Sequence, residues 1–344
     1  EVRDETGTVT VASYLAPLAS LGLQGQSLSV VASGFLDPAN NNNGAGFGLF
    51  AVLPTGGLFI PLVITSTEEN VLNSAKITKI NVGNYEYIPR IKWTNDASTL
   101  CVTTLNRHQN NLNLYIVNAS DFSSKVILNE TDKAYIDIHN NLTFLKDNSF
   151  IWTSEKDGFN HIYWYSKEGK LLNQVTKGAW EVTNFYGVNE NTKTIFYQSV
   201  EDGSINRTIY SIKLNGKNKQ RLTNASGTNS ASFSKNLNYF INTFSDINTP
   251  TVYTLHNSKG KQLKEVLNNN KLLEKLADYN LSQKEFFTLK TENGAFNAWM
   301  LKPLNFDANK KYPLFMTQYS GPGSQSVSNT WNGANDYWYQ HLAQ

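Results

Sequence analysis

Apolar positions along this chain fall into short runs separated by clusters of Gly, Asn, Asp, Ser and Pro, the texture of strands joined by turns. SLSVVASGFL, FGLFAVLP and GGLFIPLVI, all within residues 1–66, read as buried strands, and the polar stretch DPANNNNGAG joins the first two. From about residue 70 the composition shifts to Asn, Lys, Thr and aromatics. Four aromatic-centred runs, NLYIV, HIYWY, TIYSI and TVYTL, overlay on Tyr115, Tyr163, Tyr210 and Tyr253, spaced by 48, 47 and 43 residues. Upstream of each lies a second apolar run: LCVTTL, SFIWTS, TIFYQS and NYFINTF. Turn residues such as KDG and EDG fall between the paired runs, and NG or KG turns follow them. A period of about 40–50 residues with several strands per unit predicts a β-propeller. Helical repeats share such periods, but these runs are rich in β-branched and aromatic residues. About four blades are expected between residues 72 and 270, enough to close a small propeller or to form half of a larger one.

The pattern then changes. KLLEKLADYNLS has apolar residues at helical spacing and predicts a short helix. EFFTLKTENGAFNAWMLKP predicts a hairpin turning at Glu292-Asn293-Gly294. LFMTQYS reads as a central strand of a parallel sheet, YSGPGSQSVSNTW as a glycine-rich turn, and NDYWYQHLAQ as a helix.

Composition narrows the function classes. Of 344 residues, 40% are hydrophobic and 12% aromatic, enough to bury ordinary cores. Thirty basic against 28 acidic residues leave a net charge of +2, too small to gather nucleic acid or anionic lipid. No run approaches the ~20 apolar residues that span a bilayer. The single cysteine, Cys101, sits in TLCVTTL, a setting that suits a buried strand thiol rather than a reactive one. Five scattered histidines show no zinc spacing, so neither a metal nor another cofactor is expected. Residue 1 is neither an initiator methionine nor the start of a signal peptide, which suggests that the true start is missing or processed. Six Asn-x-Ser/Thr sequons, among them Asn118-Ala-Ser and Asn206-Arg-Thr, arise readily by chance in an Asn-rich chain.

Two resemblances give these patterns a family. VVASGFLDPANNNNGAGFGLFAVLPTGGLFIPL, within residues 5–64, resembles the C-terminal part of a repeated β-sandwich domain of unknown function in bacterial envelope proteins. Seven phrases in order resemble the dipeptidyl peptidase IV group of prolyl oligopeptidase-family serine exopeptidases, in its bacterial form. They are YIPRIKWTND (residues 87–96), LNRHQN (105–110), LTFLKDNSFIWTSEKDGFNHIYWY (142–165), VTKGAWEVTNFYGV (175–188), GTNSASFS (227–234), FSDINTPTVYTL (244–255) and KKYPLFMTQYSGPGSQSV (310–327). This resemblance implies an eight-bladed propeller capping an α/β-hydrolase that removes Xaa-Pro or Xaa-Ala dipeptides from peptide N-termini. It places the C-terminal blades of the propeller at residues 70–282 and the truncated start of the α/β-hydrolase domain at 283–344, while the first resemblance makes residues 1–66 a partial β-sandwich-like envelope module. The expected fold class is mainly β. The expected partners are peptides with Pro or Ala in second position, with no nucleic acid, and family members are often homodimers. The expected location is extracytoplasmic, in the periplasm or envelope of a bacterium.

The family's chemistry needs a serine nucleophile, a histidine base, an orienting aspartate and an oxyanion hole. One oxyanion donor is the tyrosine of Tyr-x-Gly-Pro-x-Ser-Gln, here Tyr319-Ser320-Gly321-Pro322-Gly323-Ser324-Gln325. The residues alone favour a half-buried tyrosine that ends a strand with its hydroxyl bonded to backbone, and the resemblance reverses this and makes Tyr319 the catalytic candidate. Ser324 lacks the final glycine of G-x-S-x-G and reads as a loop serine that caps a turn or the following helix. Glu68-Glu69 lack the aromatic context of the family's amine-gripping pair and read as a solvated linker. His108 and His161 read as propeller residues, and Trp93, Trp152, Trp164 and Trp180 as blade packing. The resemblance puts the triad beyond Gln344, so the chain alone is expected to be inactive. A non-enzymatic envelope protein that binds through its propeller face is the alternative.

Overall fold

The computed structural model describes residues 80–344 except 320 and 322, together with the backbone of three strands nearer the N-terminus. Those strands, β1 (Ser29–Ser33), β2 (Phe47–Val52) and β3 (Phe59–Ile64), form one antiparallel sheet in the order β1-β2-β3. They fall on the three apolar runs predicted there. Glu68, Glu69 and the seam between the two composition regimes lie outside the described residues.

Four four-stranded antiparallel sheets follow, each built from consecutive strands. The first contains β4 (Tyr87–Trp93), β5 (Thr99–Leu105), β6 (Asn111–Asn118) and β7 (Ser124–Thr131). The second contains β8 (Thr143–Phe144), β9 (Phe150–Ser154), β10 (His161–Tyr165) and β11 (Leu171–Gln174). The third contains β12 (Val182–Asn189), β13 (Thr194–Ser199), β14 (Thr208–Lys213) and β15 (Gln220–Arg221). The fourth contains β16 (Thr228–Phe233), β17 (Tyr239–Ser245), β18 (Val252–Asn257) and β19 (Gln262–Leu267). The eight overlaid runs are thus the second and third strands of each sheet, and this is the blade pattern of a propeller.

Burial explains why those strands carry the signal. β9 is buried at every position, and β5, β13 and β14 at all but one, so both faces of these strands are covered. β19 is exposed at every position, as befits an outermost strand. Apolar contacts run from one sheet to the next. Ile151 and Ile162 of the second sheet cluster with Ile195, Tyr197 and Ile212 of the third. Phe196 and Ile209 of the third cluster with Phe240 of the fourth, and rings continue from Phe196 through Phe233 to Phe240 with centroids 4.9 Å apart at each step. Cys101 lies in this kind of strand interior, 1% exposed, and burial pushes its thiol up to about 12. Trp152 is buried on β9, Trp164 and Trp180 pack against the cluster shared by the second and third sheets, and Trp93 packs in the first.

The chain divides into two compact units, residues 1–140 with 167–170, and 141–166 with 171–344. In the second unit the fourth sheet is followed by α1 (Asn270–Ala277) and a hairpin of β20 (Lys284–Thr291) and β21 (Gly294–Leu301). The hairpin turns through Glu292 and Asn293, with Gly294 at φ +129° opening the second strand. A 3-10 turn (Gly333–Asp336) and α2 (Tyr337–Leu342) complete the chain, where NDYWYQHLAQ predicts a helix. One expectation fails. Residues 311–319 form no strand, and Leu314 is 86% exposed. A central strand exists only when both of its backbone edges find partners, and none lies beside this run among the described residues.

Candidate functional site

The Tyr319 motif lies in the non-repetitive stretch between β21 and the 3-10 turn. The phenol is 68% exposed, so its hydroxyl can meet a ligand without first breaking a buried contact. Gly321 is what lets the ring fold back: a Cβ there would stand 3.2 Å from the Tyr319 hydroxyl and 3.3 Å from ring carbons. Ser326 Oγ donates to the Tyr319 carbonyl at 3.3 Å, which closes the loop on itself. Ser324 has a turn role, its N–H donating to Gly321 O at 3.0 Å.

The loop is tied to the sheets of its own unit. Gln325 Nε2 donates to Ser204 O and Val327 O, both at 2.8 Å, while its Oε1 accepts from Arg207 Nη2 at 2.8 Å. Arg207 also closes its own hairpin, Nη1 donating to Ser204 O and Asn206 O at 2.9 Å. Burial lowers the Arg207 guanidinium from its usual value, and Glu181 opposes this. Four residues after Gln325, Asn329 is 7% exposed and bonded to three segments of the third and fourth sheets. Neither tie was visible in the sequence. Asn206 was notable there as a sequon, whereas its amide in the fold accepts from Gly227 N–H at 2.9 Å and from Asn329 at 3.0 Å.

A second contact set holds the preceding hairpin against the C-terminal helix. Lys284 Nζ lies 2.5 Å from Asp336 Oδ1, with side chains only 4% and 12% exposed, in a geometry that is an ion pair rather than an aligned hydrogen bond. The same ammonium sits 4.5 Å from the Trp299 ring centre, and Trp299 meets Tyr339 edge to face at 5.1 Å. Gln340 behaves like a strand neighbour, accepting from Ser282 N–H at 3.0 Å and donating to Ser282 O at 2.7 Å.

Histidines contribute no such chemistry. His161 is fully buried, with Nδ1 on Thr176 Oγ1 at 3.1 Å and Nε2 on Gly178 O at 3.0 Å. His256 is bonded through both nitrogens in the same way, to Thr254 Oγ1 and Gly260 O. His108 is exposed on the turn between β5 and β6. Among the described residues no group of three or more His, Cys, Asp or Glu could hold a metal ion, and no helix is long and apolar enough to cross a membrane. The arrangement can therefore present one phenolic O–H, on a loop anchored to two sheets, to an acceptor in solution.

A family model described as the dipeptidyl peptidase IV N-terminal region matches residues 59–251. Dipeptidyl peptidase 4 of Trichophyton rubrum is 36% identical over 188 residues, 53% of this chain and 24% of that protein. That of Trichophyton equinum is 32% identical over 257 residues, 71% of this chain and 33% of that protein. The crystal structure of Porphyromonas gingivalis dipeptidyl peptidase 4 superposes with a TM-score of 0.76 at 34% identity, covering 92% of this chain and 44% of that one. The chain thus spans between about a quarter and a half of the length of these relatives.

Proposed function

The chain belongs to the family of the dipeptidyl peptidase IV N-terminal region, and from that premise we propose that it supplies the closing blades and the first peptidase-domain residues of a serine exopeptidase releasing Xaa-Pro or Xaa-Ala dipeptides. In this reading residues 70–282 are blades and residues 283–344 open the α/β-hydrolase domain. Residues 1–66 are an envelope module, and the location is extracytoplasmic in a bacterium. Its substrates are peptides with a free N-terminus, and its assembly is a homodimer.

The observation that carries the reading is the Tyr319 motif: an exposed phenol on a loop held by Gln325 and Asn329 to the third and fourth sheets. When a nucleophile attacks the scissile carbonyl, negative charge grows on its oxygen. A fixed O–H aimed at that oxygen bonds more strongly in the transition state than in the ground state, and that difference lowers the barrier. Nucleophile, base and orienting acid are assigned to no residue of this chain.

The test uses a Gly-Pro chromogenic substrate. The chain alone gives no turnover; release of the chromophore above that of its Tyr319→Phe variant would overturn this. In a full-length enzyme containing the chain, Tyr319→Phe lowers kcat by ~10²-fold or more, the range found when one oxyanion donor is removed. An unchanged kcat would remove Tyr319 from the mechanism.

A further inference from the structure

Every polar atom of Asn329 has a partner. Its backbone N–H donates to Ile205 O at 2.8 Å, and its carbonyl accepts from Thr228 Oγ1 at 2.9 Å. Nδ2 donates to Asn206 Oδ1 at 3.0 Å and to Ser226 Oγ at 3.2 Å, while Oδ1 accepts from Ile247 N–H at 2.9 Å. The partners lie on three separate pieces of chain: the hairpin between β13 and β14, the entry to β16, and the loop after β17. Thr330 Oγ1 and Trp331 N–H extend the contact to Ser245 Oγ at 3.1 and 3.2 Å.

The orientation of this amide is fixed by backbone donors, which cannot exchange roles. Gly227 N–H must meet an acceptor, so the Asn206 atom facing it is oxygen, and that oxygen then requires a donor from Asn329. Ile247 N–H likewise requires oxygen on the other side of the Asn329 amide. An asparagine satisfies both demands at once, and a carboxylate does not. Upstream, Gln325 holds the same segment to Ser204 and Arg207, and the neighbouring Ser326 hydroxyl reaches the Tyr319 carbonyl.

We propose that Asn329, with Gln325, is a positioning residue for Tyr319: it locks residues 325–331 onto the third and fourth sheets and thereby holds the phenol-bearing loop at a fixed place above the hairpins of those sheets. What the fixed place serves rests on the peptidase reading; the lock itself does not.

Hydrogen exchange on this chain tests the lock. Asn329→Asp sets two oxygens against each other at Asn206, and amide exchange at Ile247 and across residues 323–331 accelerates at least 10-fold. Asn206→Asp keeps an acceptor for both Gly227 and Asn329 and gives up only the donor to Asp202 O within its own hairpin, so the same amides stay within about twofold of the parent. Amides of β14 are unchanged in both. Equal exchange in Asn329→Asp and the parent, or equal acceleration in both variants, would overturn the lock. Should Asn329→Asp also loosen β14, Gln325→Glu takes its place; it keeps the Arg207 contact, loses the donor to Ser204, and speeds exchange in residues 323–328 alone. Unchanged exchange there would equally overturn it.

Kinetics then test the positioning role in a full-length enzyme containing the chain. Asn329→Asp lowers kcat about 10-fold with KM within twofold, and it costs nothing further in a Tyr319→Phe background, because the two act through one group. An undiminished loss in that background would make Asn329 merely structural and sink the proposal. Failure of the peptidase reading shows elsewhere, as absent turnover in the parent enzyme or as a Tyr319→Phe variant with full kcat.

Discussion

TIFYQS in β13 and LFMTQYS at residues 314–320 are nearly the same kind of sequence in opposite surroundings. Phe196 of the first is 3% exposed, and Phe315 of the second is 61% exposed. β13 has a neighbour on each edge, β12 and β14, and sheets packed on its faces. Residues 311–319 have neither among the described residues: Tyr312 stacks on nearby Phe306 and accepts from Asp307 N–H, while the hydrogen bonds that tie this stretch to the sheets come later, through Gln325 and Asn329. Apolar, β-prone residues therefore do not make a strand; paired backbone edges do, and the side chains then decide which sheet is entered.

The largest test of that contrast is truncation of the two phenylalanines. Phe196→Ala opens a cavity between the third and fourth sheets and costs about 3–5 kcal/mol, read as a fall in the urea midpoint. Phe315→Ala leaves the midpoint within about 0.5 kcal/mol of the parent, the scale of surface changes. Similar losses at both sites would mean that residues 311–319 are packed after all.

Next in size is the buried ion pair. Lys284→Met leaves the Asp336 carboxylate without its cation and costs about 3 kcal/mol, the low end for such pairs because Asp336 keeps some solvent contact. The loss is local, appearing as faster amide exchange in α2 while β14 is unmoved. Replacing both partners, Lys284→Met with Asp336→Leu, recovers most of it. No recovery would show that the pair carries more than charge balance.

Glycines sharpen the comparison further. Gly227, at φ +93°, has Phe244 Cε2 at 2.6 Å and Ser245 O at 2.7 Å from where a Cβ would stand, so Gly227→Ala costs about 2–3 kcal/mol. Gly323, at φ +69°, faces open space, so Gly323→Ala costs about 1 kcal/mol from backbone conformation alone. Thermal midpoints of the two variants that coincide would remove the packing difference between the regions.

The blades were legible because several of their second and third strands, β5, β9, β13 and β14 among them, are buried almost throughout, which forces continuous apolar runs, and because equivalent turns recur at a fixed period. The central strand was misread for the complementary reason: an apolar run reports suitability for burial, and whether neighbours exist is not written within it. Tyr319 was reached through a seven-residue phrase rather than through its environment. Asn329, Arg207 and the Lys284–Asp336 pair left no signal, since each acts across 50 residues or more of chain, a separation that no local pattern records. The motif's last residue, Gln325, was in view but as part of a phrase, not as an anchor.

The smallest effect comes from the turns that join the first two strands of each sheet. In the first two sheets an aspartate caps this turn: Asp96 Oδ1 accepts from Ser98 N–H at 2.9 Å and Oγ at 2.6 Å, and Asp147 does the same for Ser149 at 2.9 and 2.6 Å. In the fourth sheet Asn236 accepts the corresponding N–H, from Asn238, and in the third Asn189 accepts one residue further on, from Thr192. The serine hydroxyl bonds hold both aspartates below the usual carboxylate range, with burial opposing. A carboxyl lowered in the fold contributes stability above its unfolded pKa, and that contribution disappears as pH falls through the folded value. Between about pH 4 and the lower folded values, the turns of the first two sheets should therefore loosen while that of the fourth, Ser234 to Asn238, which carries no carboxylate, does not respond. Exchange measured turn by turn across that range reads the difference directly. Asp147→Asn gives the second sheet's turn the amide acceptor used by the fourth and removes the aspartate's share of the response, leaving Glu190, whose carboxylate accepts Lys146 N–H of the same turn, as its other acid. A second-sheet turn that loosens just as much in acid after this substitution would place the sensitive group elsewhere.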